Sequence, residues 1–248
     1  MPAPKYTSLL EIVNQVARSV GHPTVTDVVS SQDEAIQRLA YYANLSGSEL
    51  IYMHPWADLS KTATISIVAD TPGQEQKGFD LPTDYKCMMD STQWDKGNQM
   101  PAIGPINEQD WQWLTVRSTT ISTRFLWRIR QSQLWVKSPP TTPASFTFEY
   151  RSKYWAISVG SSGEVPSELM EQSADYHVYP WQLMTLFTRW KWFENEGYDS
   201  AGPRDAFLRA LEFEKANDLA AAPLSLVPGR GYPYITMDRN IPDTGYGS

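Results

Sequence analysis

The residues that could carry catalysis are few and widely spaced along the chain. A nucleophilic triad needs a histidine beside a serine or cysteine, and the three histidines lie in no such motif. We expect His22 to lie at a helix end, His54 to be a packed or capping residue, and His177 to be solvated. The single cysteine, Cys87, is predicted to be a buried strand residue. These residues therefore predict no catalytic site.

Motifs for phosphate, cofactor or metal binding are also missing. The chain has no Walker loop, no H-E-x-x-H, no G-x-S-x-G and no dinucleotide fingerprint. Gly160–Gly163 reads as a flexible loop by composition, and Gly229–Gly231 is too short to cradle a phosphate. One cysteine excludes an internal disulfide and a multi-cysteine zinc site. We predict no cofactor, no metal and no catalytic residues.

Carboxylates and aromatic side chains leave one alternative open. A pair of carboxylates can hydrolyse a sugar, with Asp110 and Glu149 as candidates, but 28 acidic residues make chance pairs common. The chain is rich in aromatics, with 10 Trp, 13 Tyr and 8 Phe, and exposed rings on a sheet can stack on sugars or bases. We favour core or interface packing for these rings, because one of them lies on an alternating apolar face. The rings in question are Trp111, Trp113, Trp127 and Trp135.

Charge and hydropathy narrow the class of protein. The 248 residues carry a net charge of −7, which argues against a protein held on nucleic acid by neutralising phosphates. It does not exclude DNA that passes nearby without being gripped. We expect no signal peptide and no membrane span, because no apolar run of sufficient length occurs.

The first part of the chain predicts two amphipathic helices. The first begins at a capping box of Ser8 and Glu11 and ends at Gly21, a typical left-handed C-terminal cap. The second is predicted to begin at a capping box of Ser31 and Glu34 and to run to about Met53. Gly47, within it, either weakens the helix or lets another backbone approach.

From about residue 60 the apolar period changes from 3.6 to 2, which predicts strands. Residues 125–136 read as a β-hairpin, in which Trp127 and Trp135 could face each other, and residues 146–150 as the clearest strand. Asn107 could cap a short helix in between. We expect residues 156–178 to form a loop or short irregular helix. The acidic part of this stretch, 161–178, has no Lys or Arg and is expected to be a solvated loop, with a surface that repels a polyanion as the alternative.

Helical pattern resumes at Pro180, a good first-turn residue, and stops at Gly197, and a last helix is predicted to follow Pro203. The four amphipathic helices can bury their apolar faces against each other. The predicted fold class is therefore α+β: an antiparallel helical bundle built from both chain ends, with an inserted β-rich domain and an extended C-terminal arm. The predicted units are residues 1–57 and 161–220 for the bundle, 58–160 for the insertion and 221–248 for the arm.

The arm is unusual for a linker because it carries apolar and aromatic side chains between prolines. An extended segment of this kind fits a groove or sheet edge of a partner. Folding back onto its own helices is the alternative. We predict that the partner-binding residues are Leu224, Leu226, Val227, Arg230, Tyr232, Tyr234, Ile235 and Met237.

The order of these features resembles one known family. After the N-terminal helix pair come Leu81-Pro82-Thr83-Asp84-Tyr85, the Trp-rich segment and hairpin, the strand segment 146–155, and a Pro-started helix with Thr188-Arg189-Trp190-Lys191-Trp192. Over residues 8–220 this resembles the head-to-tail adaptor proteins (connector, tail accessory or tail tubular proteins) of short-tailed bacteriophages.

The resemblance implies a structural virion protein without catalytic residues. Such proteins assemble as a ring, usually of twelve copies, beneath the portal protein of the capsid. The ring continues the channel for double-stranded DNA and presents a platform for a tail protein of the nozzle or tube. It implies a place in the virion at the portal vertex, after synthesis in the host cytoplasm, and no membrane partner. The alternative function is a carbohydrate-binding or cell-wall-degrading tail component that uses the aromatic β surface.

Overall fold

The computed structural model describes residues 7–67, 76–97, 99–116, 125–137, 144–160 and 163–218. Their fold is α+β. The helices are α1 (Leu9–Val20), α2 (Glu34–Met53), α3 (Glu108–Val116), α4 (Trp181–Asn195) and α5 (Ala201–Asp218). The strands are β1 (Ser60–Ile67), β2 (Gln76–Asp80), β3 (Tyr85–Met88), β4 (Trp94–Asp95), β5 (Met100–Pro101), β6 (Leu126–Arg130), β7 (Gln133–Lys137), β8 (Ala144–Ser152), β9 (Ala156–Gly160), β10 (Gly163–Ser167) and β11 (Tyr176–His177).

Helix α1 begins and ends where its sequence predicts. The Ser8 backbone N–H donates to Glu11 Oε2 at 3.0 Å, and the Glu11 N–H donates to Ser8 Oγ at 3.3 Å. This is the predicted capping box, which satisfies two of the free N–H groups of the first turn. Gly21 ends the helix with a φ of 83°, a left-handed conformation that favours glycine.

The predicted capping box of α2 is wrong, although the helix ends at Met53 as predicted. The cap is Asp33, whose Oδ1 accepts from the Ala35 N–H at 2.9 Å. Ser31 lies two residues earlier and accepts from the Asp33 N–H instead. A carboxylate directly before the first helical residue reaches the free N–H groups, which removes the role of the more distant serine.

Buried side chains of α1, α2, α4 and α5 form one hydrophobic core, so helices from both ends of the chain pack together. Its largest fully buried members include Trp155 and Tyr179, whose rings stack with centroids 6.0 Å apart. A Cβ on Gly47 would overlap the Trp155 ring. Gly47 therefore lets an indole ring approach α2, where the sequence had suggested either a weakened helix or the approach of another backbone.

A second core lies within the β-rich part of the chain. Strand β8 pairs antiparallel with β1 and β3, and its residues Phe146, Phe148 and Tyr150 are buried, as the alternation predicted. Strands β2, β7 and β6 form a separate sheet that contributes Trp127. The second core consists of Ile67, Phe125, Trp127, Leu134, Val136, Phe146, Phe148 and Tyr150.

The predicted hairpin is confirmed, with β6 and β7 joined by two residues of positive φ, Gln131 at 52° and Ser132 at 59°. Two such residues match the twist of the flanking strands, as in a type I′ turn. The register corrects one expectation. Trp127 pairs with Val136 and Trp135 pairs with Arg128, so the two tryptophans do not face each other.

Residues 156–178 contain strands β9, β10 and β11, which form one antiparallel sheet in the order β10-β9-β11, so the predicted loop or irregular helix is wrong.

Helix α5 also differs from its prediction, because it begins at Ala201, two residues before Pro203. Pro203 lies in the first turn, where its missing N–H is not needed. Asp199 Oδ1 accepts from the Ala201 N–H at 3.0 Å.

Candidate functional site

Two of the three histidines have the structural roles predicted for them. His54 is the C-cap of α2, with Nε2 3.1 Å from Asp218 Oδ2 and its ring edge-on to Trp56. His22 follows the cap of α1 and lies edge-on to Trp192, with ring centroids 5.4 Å apart. Both are packed against aromatic rings at a helix end, which matches the expectation for each.

The predictions for His177 and Cys87 are wrong. His177 is fully buried in β11, and burial lowers its pKa to about 4, so its ring is neutral at pH 7. Its acidic sequence neighbourhood had suggested solvation. Cys87 lies in a strand as predicted but is exposed, because the register of β3 against β8 shifts between Tyr85 and Cys87 and so breaks the alternation of faces.

The two candidate carboxylates of a sugar-hydrolysing pair have local structural surroundings. Asn107 caps α3 as predicted: its Oδ1 accepts from the Asp110 N–H at 2.7 Å, and its Nδ2 donates to Asp110 Oδ2 at 2.8 Å. Glu149 is an exposed residue of β8. Among the described residues, no group of three or more His, Cys, Asp or Glu is arranged to hold a metal ion.

The aromatic side chains divide between core and surface. Trp111 and Trp127 are only 1% and 3% exposed, which confirms the core interpretation for these two rings. Trp113 is 49% exposed, and Trp135 is half-buried with its Nε1 donating to the Arg130 carbonyl at 3.2 Å. Of the four rings considered for sugar stacking, the two buried ones are unavailable to a ligand.

Asp84, from the segment Leu81–Tyr85, joins β1 to β8. Its carboxylate accepts from Lys61 Nζ at 2.6 Å, from the Tyr150 hydroxyl at 2.8 Å and from the Ser152 hydroxyl at 2.9 Å. Burial raises its pKa, but the hydrogen bonds from Lys61, Tyr150 and Ser152 outweigh burial and hold the pKa below its usual value. The segment Leu81–Tyr85 carries part of the family resemblance. Its sequence does not indicate the hydrogen bonds of Asp84, because the partners of Asp84 lie up to 68 residues away.

Asp175 is a second buried carboxylate, which the sequence placed in a solvated loop. Its Oδ1 accepts from the Val159 N–H at 2.9 Å, and its Oδ2 accepts from the N–H groups of Glu171 and Gln172 at 2.7 and 2.8 Å. Its backbone carbonyl accepts from the Leu9 N–H at 2.8 Å. Asp175 therefore holds its own loop to β9 and to the first turn of α1.

The surface of the acidic stretch is partly neutralised. Glu164, Glu168 and Glu171 are exposed, and Glu168 forms an ion pair with Lys153 at 2.5 Å. Exposed carboxylates here match the solvation expected for this stretch, although its backbone is a sheet and Asp175 is buried.

A cavity of about 790 Å³ lies beside β6 and is lined by residues of β3, β6, α3 and the segment 104–106. Arg128, on its wall, is only 8% exposed, and its guanidinium lies 4.3 Å from the centre of the Trp111 ring. Burial lowers the pKa of Arg128, and the nearby charge of Arg130 lowers it further. Nothing in the local sequence around Arg128 indicates its burial.

The predicted partner-binding residues Leu224, Leu226, Val227, Arg230, Tyr232, Tyr234, Ile235 and Met237 lie outside the described residues. No helix in the described ranges is both long enough and apolar enough to cross a membrane.

A family model described as SU10 adaptor protein matches residues 7–225. A search of curated proteins finds no match.

Proposed function

This chain belongs to the SU10 adaptor protein family, and we propose that it forms a ring between the capsid portal and the tail of a bacteriophage. Membership in a phage adaptor family supports a structural role in the virion and contact with other head and tail proteins. The match over residues 7–225, nearly the whole chain, is the observation that carries the proposal. It agrees with the family resemblance of the sequence and supports a role without catalysis.

In the proposed assembly, the helices from both chain ends form a bundle and the β-rich part projects from it as an inserted domain. The shared core of α1, α2, α4 and α5 supports this division, since the buried members of the second core among the described residues all lie between Ile67 and Tyr150. We expect twelve copies in the ring, which lies at the portal vertex beneath the portal protein and presents a platform for the nozzle or tube protein.

The ring would continue the channel for double-stranded DNA without binding it specifically. A net charge of −7 and the exposed carboxylates Glu164 and Glu171 favour a surface along which a polyanion slides. Strong contacts to phosphates would slow ejection of the genome, and an acidic wall avoids them.

We further propose that the C-terminal arm docks on the portal or on a neighbouring subunit. The support comes from its sequence, in which apolar side chains between Leu224 and Met237 are separated by prolines. Main-chain pairing together with pockets for alternate side chains would hold such a segment on a partner.

The test is to mix the full chain with purified cognate portal rings and to image the product by cryo-electron microscopy. A ring of density below the portal, with twelve subunits, is the expected result. Portal rings that stay bare at saturating protein concentrations would refute the adaptor proposal. Binding to purified cell-wall polysaccharide in place of the portal would favour the carbohydrate-binding alternative.

Variants of the arm separate its role from that of the rest of the chain. Truncation after Ala220 should leave the helical circular dichroism unchanged and strongly reduce portal occupancy. The double variant Tyr232→Ser and Tyr234→Ser should weaken docking, whereas Thr236→Ala and Asp238→Asn in the same arm serve as controls. If the truncated chain still decorates the portal fully, the arm is not the docking element, and the adaptor proposal stands.

A further inference from the structure

The cavity beside β6 combines a buried charge with an open strand edge. We propose that it is a binding site for an extended peptide segment of a partner protein, which places a carboxylate on Arg128 and adds a strand to β6. The site lies on the described part of a single chain. It goes beyond the ring adaptor role and does not depend on it.

Arg128 is the first reason. Its Nε is buried and has no hydrogen-bond partner, and no carboxylate of the described residues forms an ion pair with the guanidinium. A buried charge without a hydrogen-bonded partner is costly. The Trp111 ring contacts the Arg128 guanidinium, and the charge of Glu108 favours it electrostatically, but neither supplies a hydrogen bond to it. Because the side chain lines an open cavity, an entering carboxylate could form the two parallel hydrogen bonds for which a guanidinium is shaped.

The edge of β6 is the second reason. Arg130 and Gln133 close the two-residue turn as a hydrogen-bonded pair, so the N–H and C=O groups of Trp127 and Ile129 point away from β7. Trp127 uses both groups: its N–H donates to the Ile103 carbonyl at 3.1 Å, and its carbonyl accepts from the Ile106 N–H at 3.0 Å.

The pairing of β6 with the segment 103–106 ends at Trp127 and does not reach the next outward-facing residue, Ile129. Within the described residues, no backbone group pairs with the outward N–H or C=O of Ile129, which lines the cavity and is 38% exposed. An unpaired strand edge is a template for an added strand. A peptide that continues the line of the 103–106 segment would meet the Ile129 backbone and pass Arg128.

The charges around the cavity select a single carboxylate over a polyanion. Arg128 and Arg130 contribute two positive charges, and Asp90 and Glu108 contribute two negative charges at exposed positions. The cavity is therefore neutral as a whole, so it does not attract duplex DNA, whose binding needs a clear excess of positive charge. One carboxylate on an apolar extended chain can reach Arg128 without bringing further negative charge past Asp90 and Glu108.

The probe is the peptide Ac-Thr-Val-Glu-Val-Thr-NH2, compared with the same peptide carrying Gln in place of Glu. Isothermal titration with the full chain should give at least tenfold tighter binding for the Glu peptide, as expected for hydrogen bonds to a charged group. Amide hydrogen exchange of the wild-type chain should show new protection at Ile129 with the Glu peptide. These two measurements need no substitution, so they stand even where a variant fails to fold.

Variants then assign the two contacts. Arg128→Met keeps a long stem against Trp111 and should remove the preference for Glu over Gln, whereas Arg204→Met on α5 should leave it unchanged. Ile129→Pro removes the outward N–H, together with the isoleucine side chain, at an edge position where proline is tolerated. It should weaken both peptides equally, whereas Ile129→Ala, which keeps the N–H, should weaken them less.

Four outcomes would overturn the proposal: equal affinity for the Glu and Gln peptides, a preference that survives Arg128→Met, no new protection at Ile129, or binding of a 12-base-pair DNA duplex at this cavity. Because the assay uses the isolated chain, its failure is distinct from a failure to decorate portal rings.

Discussion

Replacing Asp84 with alanine should destabilise the β-rich part of the chain in a pH-dependent way. The substitution leaves the hydroxyls of Tyr150 and Ser152, which are 5% and 0% exposed, without their acceptor. A buried donor without a partner costs about 1–3 kcal/mol, so the two together give about 2–6 kcal/mol. Lys61 is 41% exposed in its side chain, so its ion pair adds no more than about 1 kcal/mol.

The expected total loss for Asp84→Ala is about 2–7 kcal/mol, which corresponds to a fall of roughly 4–28 °C in Tm for a chain of this size. Differential scanning calorimetry and urea unfolding at pH 7 measure it. Glu149→Gln removes a carboxylate from an exposed position of β8 and serves as the matched control, with an expected change within about 0.5 kcal/mol.

The pH dependence follows from the pKa of Asp84, which is lowered in the folded chain below the usual value of 3.8. A lowered pKa means that the carboxylate stabilises the fold fully above the unfolded pKa and that this contribution is lost as pH falls through the folded pKa. The difference between wild type and Asp84→Asn should therefore be constant from pH 7 to about pH 5 and shrink below about pH 4. A loss under about 1 kcal/mol for Asp84→Ala, or a difference that stays constant down to pH 2, would refute this reasoning.

Two further substitutions test the packing of the two cores. Gly47→Ala should destabilise the protein by about 1–3 kcal/mol, as overpacking does, because its Cβ would overlap the Trp155 ring. Gly202→Ala has open space around it and should change the stability by less than about 1 kcal/mol. Urea unfolding of both variants measures the difference. Trp127→Ala should cost about 3–5 kcal/mol, and the exposed Trp113→Ala should cost far less; an unchanged Tm for Trp127→Ala would show that this ring does not support the core.

Those parts of the fold that depend on neighbouring residues were predictable from the sequence. Helix α1 carries its start in Ser8 and Glu11 and its end in Gly21, all within 14 residues. Strand β8 shows its buried face through simple alternation. Each signal acts within one or two turns or over one strand, so no knowledge of the rest of the chain is required.

Those parts that depend on distant partners could not be predicted. Asp175 looks like one more solvated acid until its carboxylate meets the Val159 N–H and its carbonyl meets α1. Cys87 was misassigned because a register shift moved it to the other face of β3. Arg128 is a polar residue of an alternating strand, and only the packing of Trp111 against it reveals a buried guanidinium. The predicted arm residues, Leu224 to Met237, remain a prediction.

The link between α1 and the loop at Asp175 has a consequence during synthesis on the ribosome. The N–H groups of Leu9 and Leu10 donate to the carbonyls of Asp175 and Ser173, which are translated more than 160 residues later. At typical translation rates of about 5–20 residues per second, these acceptors are synthesised roughly 8–33 s after α1. All residues of the second core, from Ile67 to Tyr150, emerge within that interval. The β-rich part can therefore fold first, before α4 and α5 have been synthesised and can complete the core of the N-terminal helices.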